Sequence, residues 1–364
     1  MAYTGVNKST DYFNTKLYTG NGSAGNAQTG VGFQPDWVWI KNRDGAYWHQ
    51  TYDAVRGASA GALYTNQTAA QDYMGGNGLA SFNSDGFTVN SNDGCNGNGQ
   101  DLVAWNWKAG DSNTSVSASG SGNNAINACT YRANTTAGFS IIQYTGRNGD
   151  IGNGNQTKVA HGLGVKPDRV IIKRTDSAED WVVRGGTSPL QSDYYLKLNT
   201  SDTRIGSDYV GESQNDDATH FVVGNSDKVN YQGGTYIAYV FVNKSGYSKY
   251  GFYKGNGNAA GTFTFTGFKP TWLLIKHANG GTASGEHWNL QDVKRSTYNP
   301  SIIMLSPNEA STENSTTNNS IDFLSNGFKI RTNDGRLNNS GADYLYMAIG
   351  QSIVGTNNIP CTAR

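Results

Sequence analysis

Hydrophobic positions in this chain come in short runs between glycine-, asparagine- and serine-rich stretches, and the runs follow two patterns. Some are apolar at consecutive positions: Trp37-Val38-Trp39-Ile40, Val170-Ile171-Ile172 and Trp272-Leu273-Leu274-Ile275. Bulky, β-favouring runs of this kind read as strands covered on both faces, or as edges closing onto a partner sheet. Others alternate. Leu102, Ala104 and Asn106 point one way, and Val103, Trp105 and Trp107 the other. Segments 236–241 and 344–349 repeat this alternation. Small alanines beside large rings suit sheets that interdigitate about 10 Å apart. No long stretch combines helical periodicity with caps; the nearest, 65–73, predicts one or two turns.

The runs recur in a fixed order, three times. LYTGNG (17–22), IQYTGRNG (142–149) and FYKGNGN (252–258) open each copy. Next come GFQPDWVWIKNRDG (32–45), GVKPDRVIIKRTDS (164–177) and GFKPTWLLIKHANG (267–280), aligned on Pro35, Pro167 and Pro270. A third block centres on Trp48, Trp181 and Trp288, each followed by an arginine: Arg56, Arg184 and Arg295. Three further blocks complete each copy, ending in 98–110, 233–246 and 340–352. Repetition on this scale marks a repeated structural unit. Strand, glycine turn, strand at about 10-residue spacing predicts an all-β chain of three tandem antiparallel β-sandwich domains. The boundaries follow: an N-terminal arm (1–15), repeat one (16–110), a Ser/Gly/Asn linker (111–125), repeat two (126–246), repeat three (247–352) and a C-terminal tail (353–364). The linker composition is that of flexible coil, so repeat one is expected to move more freely than the directly joined repeats two and three. Trp48, Trp181 and Trp288 are expected in the core, each beside its arginine stem, together with Pro35, Pro167 and Pro270.

Charge removes several functions. With 28 basic and 28 acidic residues in 364, the chain has no net charge, which argues against nucleic-acid partners and membrane surfaces. No apolar run is long enough to span a bilayer, and the first residues lack the pattern of a secretory signal. Cys95, Cys129 and Cys361 are odd in number and lack a CxxC pair, so free thiols are expected. The 42 aromatic rings (8 Trp, 21 Tyr, 13 Phe) let a chain with 36% hydrophobic residues build a core.

Catalytic patterns dissolve on inspection. Gly20–Gly25 fits GxGxxG, but no helix follows to hold a pyrophosphate, and a hairpin turn is favoured. Gly57–Gly61 fits GxSxG, yet a strand-like segment follows where a nucleophile elbow needs a helix. His49, His161, His220, His277 and His287 show no metal-ligand spacing, and the polar loop 92–101 departs from the EF-hand pattern. Asp53-x-x-Arg56 recurs as Asp292-x-x-Arg295, which points to structural ion pairs rather than an active site. No catalytic residue, metal or cofactor is expected.

The blocks in 247–352, with the opening STDYFNTKLYTGNG, the core motif GVGFQPDWVWIKNRDG and the ending IPCTAR, resemble an uncharacterised β-sandwich module. That module is common in virion structural proteins of marine bacteriophages, including phages of cyanobacteria, often in tail or tail-fibre proteins. The resemblance implies a jelly-roll or concanavalin-like sandwich without catalytic residues, located in the virion. It implies a tail fibre, tail appendage or adhesin for host attachment, with a capsid decoration protein as the alternative. A host-glycan-binding or glycan-depolymerising protein is the alternative from another class. Partners would be other virion proteins, further copies of this chain in a symmetric homo-oligomer, and a host surface glycan or protein. The arm and tail bury little by themselves, so Tyr3, Tyr12 and Phe13 are expected to anchor assembly contacts.

Overall fold

The computed structural model describes residues 5–148, 156–186, 190, 193–206, 209–280 and 286–352. The chain is all-β, and its sheets are antiparallel. In the first large sheet the neighbours are, in order, Phe13–Thr19, Asp101–Trp107, Trp37–Asn42, Gln50–Asp53 and Leu63–Tyr64. In the second, the same places fall to Phe139–Thr145, Thr235–Phe241, Arg169–Arg174, Val182–Arg184 and Leu196–Lys197. In the third they fall to Ser248–Lys254, Asp343–Ser352, Phe268–Asn279 and Asn289–Asp292. The register matches as well. Trp37, Arg169 and Trp272 pair with Trp107, Phe241 and Ile349, and each stands two residues after the repeated proline. Two residues on, Trp39, Ile171 and Leu274 pair with Trp105, Tyr239 and Met347. Lys41, Lys173 and Lys276 then pair with Val103, Ile237 and Leu345.

Each large sheet is buried on both faces, which is why its strands are apolar at consecutive positions. One face packs within its own repeat. Val38, Ile40, Leu102 and Ala104 meet Phe87 and Val89 of a small sheet; Val170, Ile172 and Val240 meet Val159 and Phe221; Leu273, Ile275 and Tyr346 meet Phe323 and Phe328. The opposite faces all converge on one core. Trp37, Trp39, Trp105 and Trp107 of the first repeat pack with Ile171, Tyr239 and Phe241 of the second and Trp272, Leu274, Leu345 and Met347 of the third. Trp37 stacks on Tyr239 at 4.2 Å, and Trp107 meets Trp272 edge-on at 5.5 Å. The loosely tethered first repeat expected from the linker is therefore corrected: its largest side chains supply the centre of the molecule. Part of that linker, Thr114–Val116, extends the second sheet by pairing with Cys129–Asn134.

The glycine block that opens each copy has a common physical cause. Tyr18, Tyr144 and Tyr253 donate their hydroxyls to the carbonyls of Cys95, Val229 and Leu337, in or beside three four-residue helices: α1 (Asp93–Asn96), α2 (Asp227–Asn230) and α3 (Gly335–Asn338). From the same helices the buried Asn96, Asn230 and Asn338 accept from the backbone N–H groups of Asn21, Arg147 and Asn256. A Cβ on Gly20, Gly146 or Gly255 would collide with backbone carbonyl groups there. These helices are too short to leave a periodic trace, and no helix forms over 65–73.

The N-terminal arm folds back onto its own chain. Val6 and Phe13 join the common core, Phe13 packing on Trp107 and Trp272 at 4.9 and 6.0 Å, and Ser9 bonds Gln351. Phe13, 4% exposed, has no surface left for another chain, which corrects its assignment as an assembly anchor. Tyr12 is half-buried against Tyr247. Tyr3 and the tail 353–364 lie outside the described residues.

Candidate functional site

Where the three large sheets meet, polar groups link each repeat to the next in a cycle. Trp181 of the second repeat donates its indole N–H to the Tyr64 carbonyl of the first at 2.8 Å. Trp288 of the third donates to Lys197 of the second at 2.9 Å. In the first repeat the corresponding residue is His49, whose Nε2 has no hydrogen-bond partner among the described residues. Thr65, which bonds the His49 carbonyl, instead donates its hydroxyl to the Pro307 carbonyl of the third repeat at 2.7 Å. The correspondence is fixed by backbone bonds: the N–H groups of His49, Trp181 and Trp288 bond the side chains of Asn66, Asn199 and Asn308. His49 is buried, its Nδ1 accepts from Trp39 Nε1 at 3.0 Å, and burial pushes its pKa well below the ordinary value. Trp48 is thus not the counterpart of Trp181 and Trp288. It stands one residue earlier, in the segment that leads into Gln50–Asp53, and is 45% exposed where His49 is fully buried. Trp288→Ala is expected to cost about 3–5 kcal/mol, the range for a buried aromatic. Trp48→Ala should leave the melting temperature unchanged; thermal denaturation of both variants distinguishes the two environments.

The paired acids and arginines serve the same seam. Asp53–Arg56 and Asp292–Arg295 are both buried, each with a 2.6 Å contact. Asp53 also accepts from Tyr239 of the second repeat at 3.1 Å, and Asp292 from Trp105 of the first at 3.0 Å. Each carboxylate thereby satisfies a buried donor from the neighbouring repeat. Arg184 lies elsewhere, on its own repeat's inner face with Asp216 at 3.1 Å. The position equivalent to Asp53 in repeat two is Gly185, so the pair exists only twice.

Three lysines complete the seam. Lys41, Lys173 and Lys276 are fully buried and end on backbone carbonyls: Gly45 for Lys41, Thr68 and Glu179 for Lys173, Ser201 and His277 for Lys276. Thr68 and Ser201 belong to the neighbouring repeat in each case. Burial lowers these amines to about 8, about 8 and about 7, against weaker opposing pulls from Glu313, from Glu179 and Asp180, and from Asp202 and Glu286. Their lysine identity was visible in the repeated blocks, but nothing in the sequence signalled that they are buried.

The exposed Trp48 borders an open cleft of about 350 Å³ lined by Ala46, Tyr47, Trp48, Gln50, Tyr64, Asn92, Asp93 and Gly94. Its indole rests edge-on against Tyr64 at 4.8 Å, and the Tyr64 hydroxyl is held by Asp72 at 2.7 Å. Asn92 Oδ1 accepts from Gly94 N–H at 2.9 Å and from Gln50 Nε2 at 2.8 Å. Among the described residues no cluster of His, Cys, Asp or Glu has the arrangement of a metal site. Cys95 and Cys129 are free and buried, their thiols pushed by burial to about 12 and about 11.

Three corresponding sheets around one aromatic core, tied by a cyclic set of polar contacts, define an all-β protein built on an internal threefold repeat. The chain belongs to the family described as a domain of unknown function, DUF7483, which it matches over residues 8–352. One family domain thus spans all three repeats and most of the N-terminal arm. No curated protein and no solved structure matches the chain. No helix among the described residues is long and apolar enough to cross a membrane.

Proposed function

We propose that this protein is a non-enzymatic structural component of a bacteriophage particle, a tail fibre, tail appendage or adhesin that takes part in host attachment. Its three repeats are read as antiparallel β-sandwiches of the jelly-roll or concanavalin-like kind, joined in tandem and closed about a pseudo-threefold axis. The observation that carries the reading is the common core. Three sheets commit their outer faces to one another, and Asp53, Asp292, Lys173 and Lys276 of the seam each make a bond to the neighbouring repeat. That investment suits a rigid particle component, and the proposed location rests on the resemblance of the repeated blocks to a module of marine bacteriophage virion proteins. The virion-protein partners and the symmetric homo-oligomer belong to the same proposal.

Particles purified on a density gradient should contain the protein in fixed stoichiometry by mass spectrometry. Antibodies raised against it should label an appendage in electron micrographs. Labelling over the whole head would favour a capsid decoration protein. Detection in infected cells but not in particles would overturn the virion assignment.

A further inference from the structure

We propose that the cleft beside Trp48 is a subsite for a neutral sugar ring. The proposal deepens the attachment reading and rests on it only for where the sugar comes from.

The threefold repeat provides an internal comparison. The residues in the place of Trp48 are Asp180 and His287, and both are engaged within their own repeats. Asp180 meets Lys197 at 2.9 Å, and His287 lies 3.3 Å from Glu309. Lys197 is itself the counterpart of Tyr64, so a charged pair in repeat two stands where repeat one has Trp48 on Tyr64. The fold is therefore satisfied without an aromatic residue at this position. Repeat one nevertheless carries the largest side chain there and leaves 45% of it in solvent.

The polar groups around the indole form a mixed set. Both side-chain bonds of Asn92 are made by its Oδ1, so its Nδ2 has no acceptor among the described residues. The exposed Asp93 carboxylate receives one long bond, 3.5 Å from the Tyr47 hydroxyl. An amide donor, a phenol and a carboxylate acceptor thus lie together beside an apolar ring face. Adjacent hydroxyls of a sugar both donate and accept, and the C–H face of a pyranose is apolar enough to cover an indole. The cleft volume falls within the range of about 300–1,000 Å³ usual for small-molecule sites. Asp93 disfavours anionic ligands. A compact cation could satisfy the ring and the carboxylate but leaves the Asn92 donor without use.

The test uses the full chain and the methyl pyranosides of glucose, galactose and mannose, observed by saturation-transfer NMR and titration calorimetry. At least one should bind with an affinity near the millimolar level, about −4 kcal/mol. Trp48→Ala should weaken that binding by about tenfold or more, roughly 1.4 kcal/mol, while Trp48→Phe keeps most of it. Unchanged melting temperatures in both variants separate lost contact from lost fold. Absence of binding by all three sugars, or equal binding by Trp48→Ala, would overturn the proposal. Trp48-dependent binding of tetramethylammonium in place of the sugars would also overturn it, in favour of a cation site. Because the assay needs no particle, its outcome is separable from the virion labelling experiment.

Discussion

Trp37→Ala should weaken all three repeats together, by about 5 kcal/mol, the upper end for truncating a buried aromatic. Trp37 is 2% exposed and touches rings from two repeats: Trp107 at 4.3 Å, Tyr239 at 4.2 Å and Phe139 at 5.9 Å. Each well-placed aromatic pair adds about 0.5–1.5 kcal/mol beyond its buried area. The void left by alanine would face the whole common core, with no single repeat able to close it. Calorimetry should show one unfolding transition in the parent and the variant, with matching calorimetric and van't Hoff enthalpies. Amide protection in 237–241 and 345–349 should fall along with that in 103–107. Three separate transitions, with only 16–110 affected, would show that the repeats fold independently. By the same argument residues 247–352 alone should not fold, since Trp272, Leu274, Leu345 and Met347 would lose their cover.

The second large effect is on pH. Lys41, Lys173 and Lys276 have folded pKa values of about 8, about 8 and about 7, whereas an unfolded lysine titrates near ~10.4. Between those limits the unfolded chain holds protons that the folded chain has released, so stability rises with pH across that window and is lowest below it. At about 1.4 kcal/mol per unit the upper figures are on the order of 3 kcal/mol each for Lys41 and Lys173 and about 5 kcal/mol for Lys276. Buried thiols and phenols act in the opposite sense. Burial raises Cys95, Cys129, Tyr18, Tyr144 and Tyr253 above their ordinary values, so these groups keep protons that the unfolded chain loses. Their contribution falls away above about pH 8.5 for the thiols and about pH 10 for the phenols. Urea midpoints should therefore climb from pH 6.5 to a maximum near ~9 and then decline. Lys276→Met should remove the largest share of the climb. A midpoint that falls steadily from pH 7 to 9 would contradict the burial of these amines.

The candidate cleft was legible only in part. Trp48 stood out in the sequence as one of three repeated tryptophans, and matching by residue type placed it in the core with Trp181 and Trp288. The backbone bonds to Asn66, Asn199 and Asn308 instead align His49 with those two. Residue type outweighed position in that reading, and a single-residue slip exchanged a core ring for a surface one. Asn92 and Asp93 reach Trp48 from more than forty residues along the chain, a proximity that spacing does not encode.

Strands, turns and the threefold repeat were determined by the sequence itself, because each is local. Bulky consecutive residues make strands, glycines stand where backbones crowd at 20, 146 and 255, and Asp-x-x-Arg forms its pair within one turn of chain. Runs such as Trp37–Ile40 also announced that both faces would be covered. What covers them was decided by the tertiary structure alone. The outer faces close on one another rather than on three separate cores, the arm inserts Phe13 between Trp107 and Trp272, and three lysines end on carbonyls inside the seam. Apolar burial is non-directional, so a hydrophobic face specifies that it must be hidden but leaves the identity of its neighbour to the geometry of the whole chain.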